Sequence, residues 1–149
     1  SGPGMAVGAA LALKDTEHFP VAILGDGDFL MGSTALWTAA RYRFPLLVIV
    51  ANNASFFNDE AHQERVARAR GRPVENKGIG IRIDDPSPDL TKHAASLGAK
   101  VLGGQVTERS KLSRALKEAQ RLVQDEKSLV VVDVQVVSDG YSSALETGN

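Results

Sequence analysis

A doubly wound α/β fold, with a parallel sheet and helices on both faces, is predicted by two observations. Apolar runs of strand length recur at Pro20 to Leu24, Leu46 to Ala51 and Leu129 to Val137. Between them lie segments of helical periodicity, and strands that alternate with helices imply right-handed crossovers and a buried parallel sheet.

The elements follow in order. Met5 to Lys14 is rich in Ala and Leu and predicts a buried helix. Pro20 to Leu24 predicts a buried strand ending at Gly25. Gly32 to Arg43 predicts a helix packed through Ala35, Leu36, Ala39 and Ala40, with Ser33 or Thr34 as its cap and Trp37 in the core. Pro45 ends it, and Leu46 to Ala51 is a second buried strand running into Asn52-Asn53. Asn58 to Arg70 is compatible with a polar helix that lacks an apolar face. Gly71 to Pro88 has turn punctuation without periodicity, which predicts a functional or mobile segment. Asp89 to Leu97 predicts a capped helix stopped at Gly98, and Lys100 to Leu102 a short strand. Glu108 to Gln124 is an amphipathic helix with Leu112, Ala115, Leu116, Ala119 and Val123 on one face. Leu129 to Val137 closes the sheet, and 138–149 is expected to be a tail of this single domain.

Composition narrows the function. A net charge of −1 and 5% aromatic residues offer neither a basic surface nor stacking platforms for nucleic acid. The absence of cysteine removes thiolate ligands and cysteine nucleophiles, and fits a cytoplasmic setting. The apolar runs are too short to span a membrane. The sequence starts without Met and is already helix-like at Met5, so it is read as a piece of a longer polypeptide.

Two strand ends carry unusual polar groups: Gly25-Asp26-Gly27-Asp28 and Asn52-Asn53. Ligands of such sheets sit beyond the carboxyl ends of the strands. Glycines there let backbone amides approach a phosphate, but a carboxylate in the same turn repels one. A divalent cation resolves the conflict, because Mg²⁺ takes hard oxygen ligands and bridges protein oxygens to a diphosphate. Either motif alone is equally compatible with a tight turn or a strand exit. One helix and one strand lie between them, which brings both to the same sheet edge.

The pair, with the intervening ALWTAARYRFPLLVIVANN and the preceding MAVGAALAL, resembles the signature of the thiamine diphosphate-dependent enzyme superfamily, most nearly its benzoylformate decarboxylase and acetolactate synthase branches. The resemblance covers residues 4–57 closely and 89–137 by pattern. It implies that Asp26 and Asn53 ligate Mg²⁺ through their side chains and Ser55 through its carbonyl. It also implies that the Gly25–Asp28 turn meets the diphosphate through the backbone of Gly27 and Asp28. Asp28 departs from the commoner Ser, and Ala35 from a frequent Glu. The implied substrate is a 2-keto acid or aldehyde, and the implied assembly a homodimer or homotetramer. The activating glutamate is expected on a separate pyrimidine-binding domain, so no catalytic residue is assigned within this segment.

Other candidates have plainer readings. His62 is a possible proton-transfer group or a solvated loop histidine; His18 and His93 read as surface residues. Arg65, Arg68, Arg70 and Arg72 could meet an anion, or pair with Asp59, Glu60 and Glu64. Asp84-Asp85-Pro86 reads as a turn. The alternative function is a degenerate, noncatalytic cofactor- or phosphate-binding module. A dinucleotide fingerprint is absent, because Gly25-Asp26-Gly27 is followed by Leu30 where a third glycine belongs.

Overall fold

Leu46–Asn52 (β2) and Leu129–Gln135 (β4) pair in parallel at the centre of the sheet, as their nearly continuous apolar sequences require. Val21–Gly25 (β1) flanks β2, and Lys100–Val101 (β3) flanks β4, giving the parallel order β1-β2-β4-β3. The computed structural model describes residues 2–137, and the tail expected at 138–149 lies outside them.

Both faces of the sheet are covered. On one, Gly2–Leu13 (α1), Asp26–Gly32 (α2), Leu36–Tyr42 (α3) and Leu90–Ser96 (α5) bury Ala10, Phe29, Leu36, Ala39 and Ala94 against Leu46, Val48, Val50 and Val131. On the other, Arg109–Glu126 (α6) packs Ala119 and Val123 over Leu47, Val130 and Val132. The doubly wound prediction stands.

Several local expectations need correction. Helix α1 is not fully buried: Ala6, Val7 and Ala10 face the core, but Met5 and Leu11 are exposed. Among the described residues strand β1 lies at an edge of the sheet, with Val21 and Ile23 open on one face rather than buried. Helical structure begins at Asp26 rather than Gly32, and continues through a 3-10 turn at Ser33–Ala35 into α3. Ser33 makes no capping bond; its hydroxyl lies 2.7 Å from His93 Nε2. His93 is therefore partly buried, edge-on to Phe29, and not a plain surface residue. Trp37 is 54% exposed, on the outer side of α3 opposite Leu36 and Ala39, and does not pack in the core.

The polar helix does form, as Phe57–Ala69 (α4). Its anchor is electrostatic rather than apolar. Buried Glu60 meets Arg82 at 3.0 Å, and Glu64 meets Lys77 at 2.5 Å and Arg68 at 2.7 Å. Those contacts return the following chain to the strand end, where Phe56 N–H bonds Ile81 O and Ile83 N–H bonds Ala54 O. The 71–88 stretch thus has few regular elements beyond a 3-10 turn at Glu75–Gly78, yet it is tied back at residues 81–83. Of the arginine run, Arg68 pairs with Glu64 as expected, while Glu60 pairs instead with Arg82 and Lys77.

Candidate functional site at the strand carboxyl ends

Strands β1 and β2 run side by side with Gly25 opposite Ala51, so Asp26 and Asn53 leave the same edge of the sheet. Asp26 opens α2 and is only 2% exposed. Its position in the first turn suits a negative charge, because the helix amides there lack intrahelical acceptors. Gly27 N–H donates to Asp26 Oδ1 at 2.9 Å, and Ser55 N–H to Asp26 Oδ2 at 3.1 Å. Burial pushes the Asp26 carboxyl above the ordinary aspartate value, and these amides oppose the shift.

The turn after β2 is built by a chain of side-chain bonds. Asn52 Oδ1 accepts from Ala54 N–H, and Asn53 Oδ1 accepts from Ser55 N–H, both at 3.1 Å. Ala54 has a φ of 56°, an uncommon left-handed conformation for a residue with a side chain. Ser55 is buried, and its hydroxyl donates to Glu60 Oε2 at 3.2 Å. The structure therefore brings Asp26, Gly27, Asn53 and Ser55 together. Gly25 immediately precedes α2 in extended conformation, and Asp28 is exposed in its first turn.

Gly27 has a second reason to be glycine. A β-carbon there would lie 2.2 Å from the Phe56 ring, so the aromatic residue of the second motif closes directly over the first. His62, on α4, is exposed.

A cavity of about 650 Å³ opens on the other side of the Asn52–Ala54 turn, between the ends of β2 and β4 and the start of α5. Asp133 reaches it from β4 and was missed by sequence reasoning. It is 4% exposed, and it accepts from Asn52 Nδ2 and Gln105 Nε2, each at 3.3 Å. Burial pushes its carboxyl upward as well, against the two amide bonds, and the charges of Asp26 and Asp89 act in the same sense as burial. The available signal was the lone carboxylate inside the apolar run LVVVDVQVV.

Among the described residues no cluster of three or more His, Cys, Asp or Glu side chains is placed to hold a metal. The converging donors are instead one carboxylate, one amide and the nearby backbone, the mixed hard-oxygen chemistry suited to Mg²⁺. Among the described residues buried Asp26 accepts only from backbone amides, with no side-chain cation to balance its charge, so the residues fit a cation at this point.

Fold and site together define a parallel α/β domain with a phosphate-compatible, oxygen-rich turn at its strand ends. The chain belongs to the thiamine pyrophosphate enzymes, matching their C-terminal TPP binding domain over residues 1–134. It is 32% identical over 135 residues to the putative thiamine pyrophosphate-containing protein YdaP of Bacillus subtilis, covering 91% of this chain and 21% of that protein. It is 32% identical over 134 residues to benzoylformate decarboxylase of Pseudomonas aeruginosa, covering 89% and 22%. Among solved structures, a thiamine diphosphate-dependent 4-hydroxybenzoylformate decarboxylase of Rhodococcus jostii superposes with a TM-score of 0.66 at 25% identity, covering 89% of this chain and 21% of that one. The chain thus spans about a fifth of the length of these relatives. None of the described helices is long and apolar enough to cross a membrane.

Proposed function

We propose that this domain holds the diphosphate of thiamine diphosphate through Mg²⁺, within a larger enzyme that cleaves or forms a bond next to a 2-keto group. The observation that carries the reading is the convergence of Asp26 and Asn53 oxygens on the Ser55 amide, with the Asp26 carboxylate buried. The names of the relatives, two of them decarboxylases, support the reaction class.

In this reading Asp26 supplies the negative oxygen to the cation, Asn53 a neutral amide oxygen, and Ser55 its carbonyl. The backbone of Gly27 and Asp28 faces the diphosphate, while exposed Asp28 keeps its carboxylate in water. Glu60 holds the Ser55 hydroxyl and, through Arg82, ties the returning strand over the turn. When bound, the coenzyme would supply the electron sink for breaking or forming the bond next to the carbonyl group. The pyrimidine end and its activating glutamate would come from a separate domain, which makes the site composite in a homodimer or homotetramer. The decarboxylase names of the relatives favour a small 2-keto acid or aldehyde as substrate.

Thermal denaturation of the full-length protein with thiamine diphosphate, NAD or ATP, each with and without Mg²⁺, tests the proposal. The expected result is stabilisation by thiamine diphosphate that requires Mg²⁺. Equal stabilisation by all three ligands, or none by thiamine diphosphate, overturns it.

A further inference from the structure

Asp133 is the one charged residue within β4, whose other positions from Leu129 to Val132 are buried and apolar. A carboxylate there is costly: its described partners are two neutral amides, and a well-packed apolar residue would remove the desolvation penalty. What the carboxylate does supply is an acceptor with no donor of its own. By taking Asn52 Nδ2 it fixes the orientation of that amide and turns Asn52 Oδ1 towards Ala54 N–H. That bond secures the left-handed Ala54, and Ala54 sets the path by which Asn53 Oδ1 and Asp26 Oδ2 meet at Ser55 N–H. Gln105, from the loop after β3, braces the other carboxylate oxygen.

We propose that Asp133 is a positioning residue for the cation site, acting through Asn52 from the opposite side of the turn. The proposal rests on the Mg²⁺ and thiamine diphosphate reading of Asp26 and Asn53. Partners that orient ligating groups commonly contribute tenfold to a hundredfold in metal affinity without touching the metal.

The hydrogen-bond pattern gives a specific test. In Asp133→Asn, one amide oxygen must replace two carboxylate oxygens, and an N–H₂ group faces the N–H₂ of Asn52 or Gln105. In the exchanged pair Asn52→Asp with Asp133→Asn, every bond can be remade. The new carboxylate at 52 accepts from Ala54 N–H and from the amide at 133, whose oxygen accepts from Gln105. The net charge is unchanged.

The measurement is calorimetric titration of Mg²⁺ into the full-length protein with saturating thiamine diphosphate, alongside the thermal midpoint without either ligand. Asp133→Asn is expected to raise the Mg²⁺ Kd about tenfold or more. The exchanged pair is expected to recover the parent Kd to within about threefold while Asn52→Asp alone binds Mg²⁺ no more tightly than the parent, a non-additivity that only coupled residues show. Tighter binding by Asn52→Asp alone that accounts for the recovery overturns the positioning role. A parent-like Kd in Asp133→Asn overturns the positioning role and leaves the cofactor reading standing. So does a weakened Kd that the exchange fails to restore while the ligand-free midpoint is parental. If Asp133→Asn fails to fold, recovery of both folding and Kd by the exchanged pair supports the proposal, and recovery of folding alone overturns it. Absence of Mg²⁺-dependent binding by the unmodified protein overturns both proposal and reading.

Discussion

Asp26 and Asn53, from different strand ends, share a single donor: the Ser55 amide lies 3.1 Å from Asp26 Oδ2 and 3.1 Å from Asn53 Oδ1. Two acceptor oxygens held by one N–H are close neighbours, and one of them carries a buried negative charge. In the proposed reading a cation held by these oxygens would offset both the crowding of acceptors and the desolvation of Asp26.

The contact between Gly27 and Phe56 makes the first prediction. Gly27→Ala places a methyl group inside the Phe56 ring, with ring atoms 2.2 to 2.6 Å away. Overpacking of this kind costs about 1–3 kcal/mol. Urea denaturation should show that loss, and Phe56→Ala should relieve most of it in the double variant. Additive losses would mean that the cost of Gly27→Ala does not come from the Phe56 ring, and no loss in Gly27→Ala that the ring moves aside freely.

Glu60 is expected to latch the returning segment. Glu60→Ala removes its bonds to Ser55 and Arg82 and a longer contact with Lys77. Amide exchange at Phe56 and Ile83, whose N–H groups bridge the turn and the 81–83 segment, should accelerate about tenfold, equivalent to roughly 1.4 kcal/mol. Thiamine diphosphate with Mg²⁺ should slow exchange across residues 56–85 in the parent. Unchanged exchange in both experiments would remove this segment from the binding account.

Acid should selectively weaken the start of α5. The Lys92 amide, the Thr91 hydroxyl and the Lys92 ammonium hold the Asp89 carboxyl well below the usual carboxylate range. A depressed folded value means that the contribution is full above the unfolded value near 3.8 and is lost as the pH falls below it. The stability difference between parent and Asp89→Ala should therefore be constant from pH 7 to about pH 5 and shrink below pH 4. A difference that grows with acid would reverse the assigned sign.

The exposed apolar groups Met5, Met31 and Trp37 on α1, α2 and α3 favour association. Full-length protein with coenzyme should sediment as a dimer or larger, and residues 1–149 alone should show no decarboxylase or carboligase turnover. An active monomer, or turnover by the isolated domain, would contradict a site shared between domains.

Much of this architecture was legible because the signals were local. Leu46–Ala51 and Leu129–Val137 announce central strands, and Gly25-Asp26-Gly27 with Asn52-Asn53 announces the polar ends of β1 and β2. What failed depended on partners distant in sequence. Val21 and Ile23 have the composition of a buried strand, but β1 lies at an edge of the described sheet. Trp37 has helical spacing yet lies on the outer side of α3. The 57–83 segment has no apolar stripe because Glu60, Glu64, Lys77 and Arg82 hold it, and ion pairs leave no periodicity to read. Asp133 was visible as an anomaly, but its role needed Asn52 and Gln105 brought beside it.

The most direct test of the cation site is the Mg²⁺ Kd of full-length protein at saturating thiamine diphosphate, for Asp26→Ala and Asn53→Ala beside the exposed control Asp15→Ala. Both site variants should retain the parental circular dichroism spectrum. Asp26→Ala should weaken Mg²⁺ binding at least about a hundredfold, and Asn53→Ala about tenfold or more, since Asp26 supplies the charge and Asn53 a neutral oxygen. The control should match the parent. A parental Kd in both site variants would contradict the assignment of Asp26 and Asn53 as the cation's side-chain ligands.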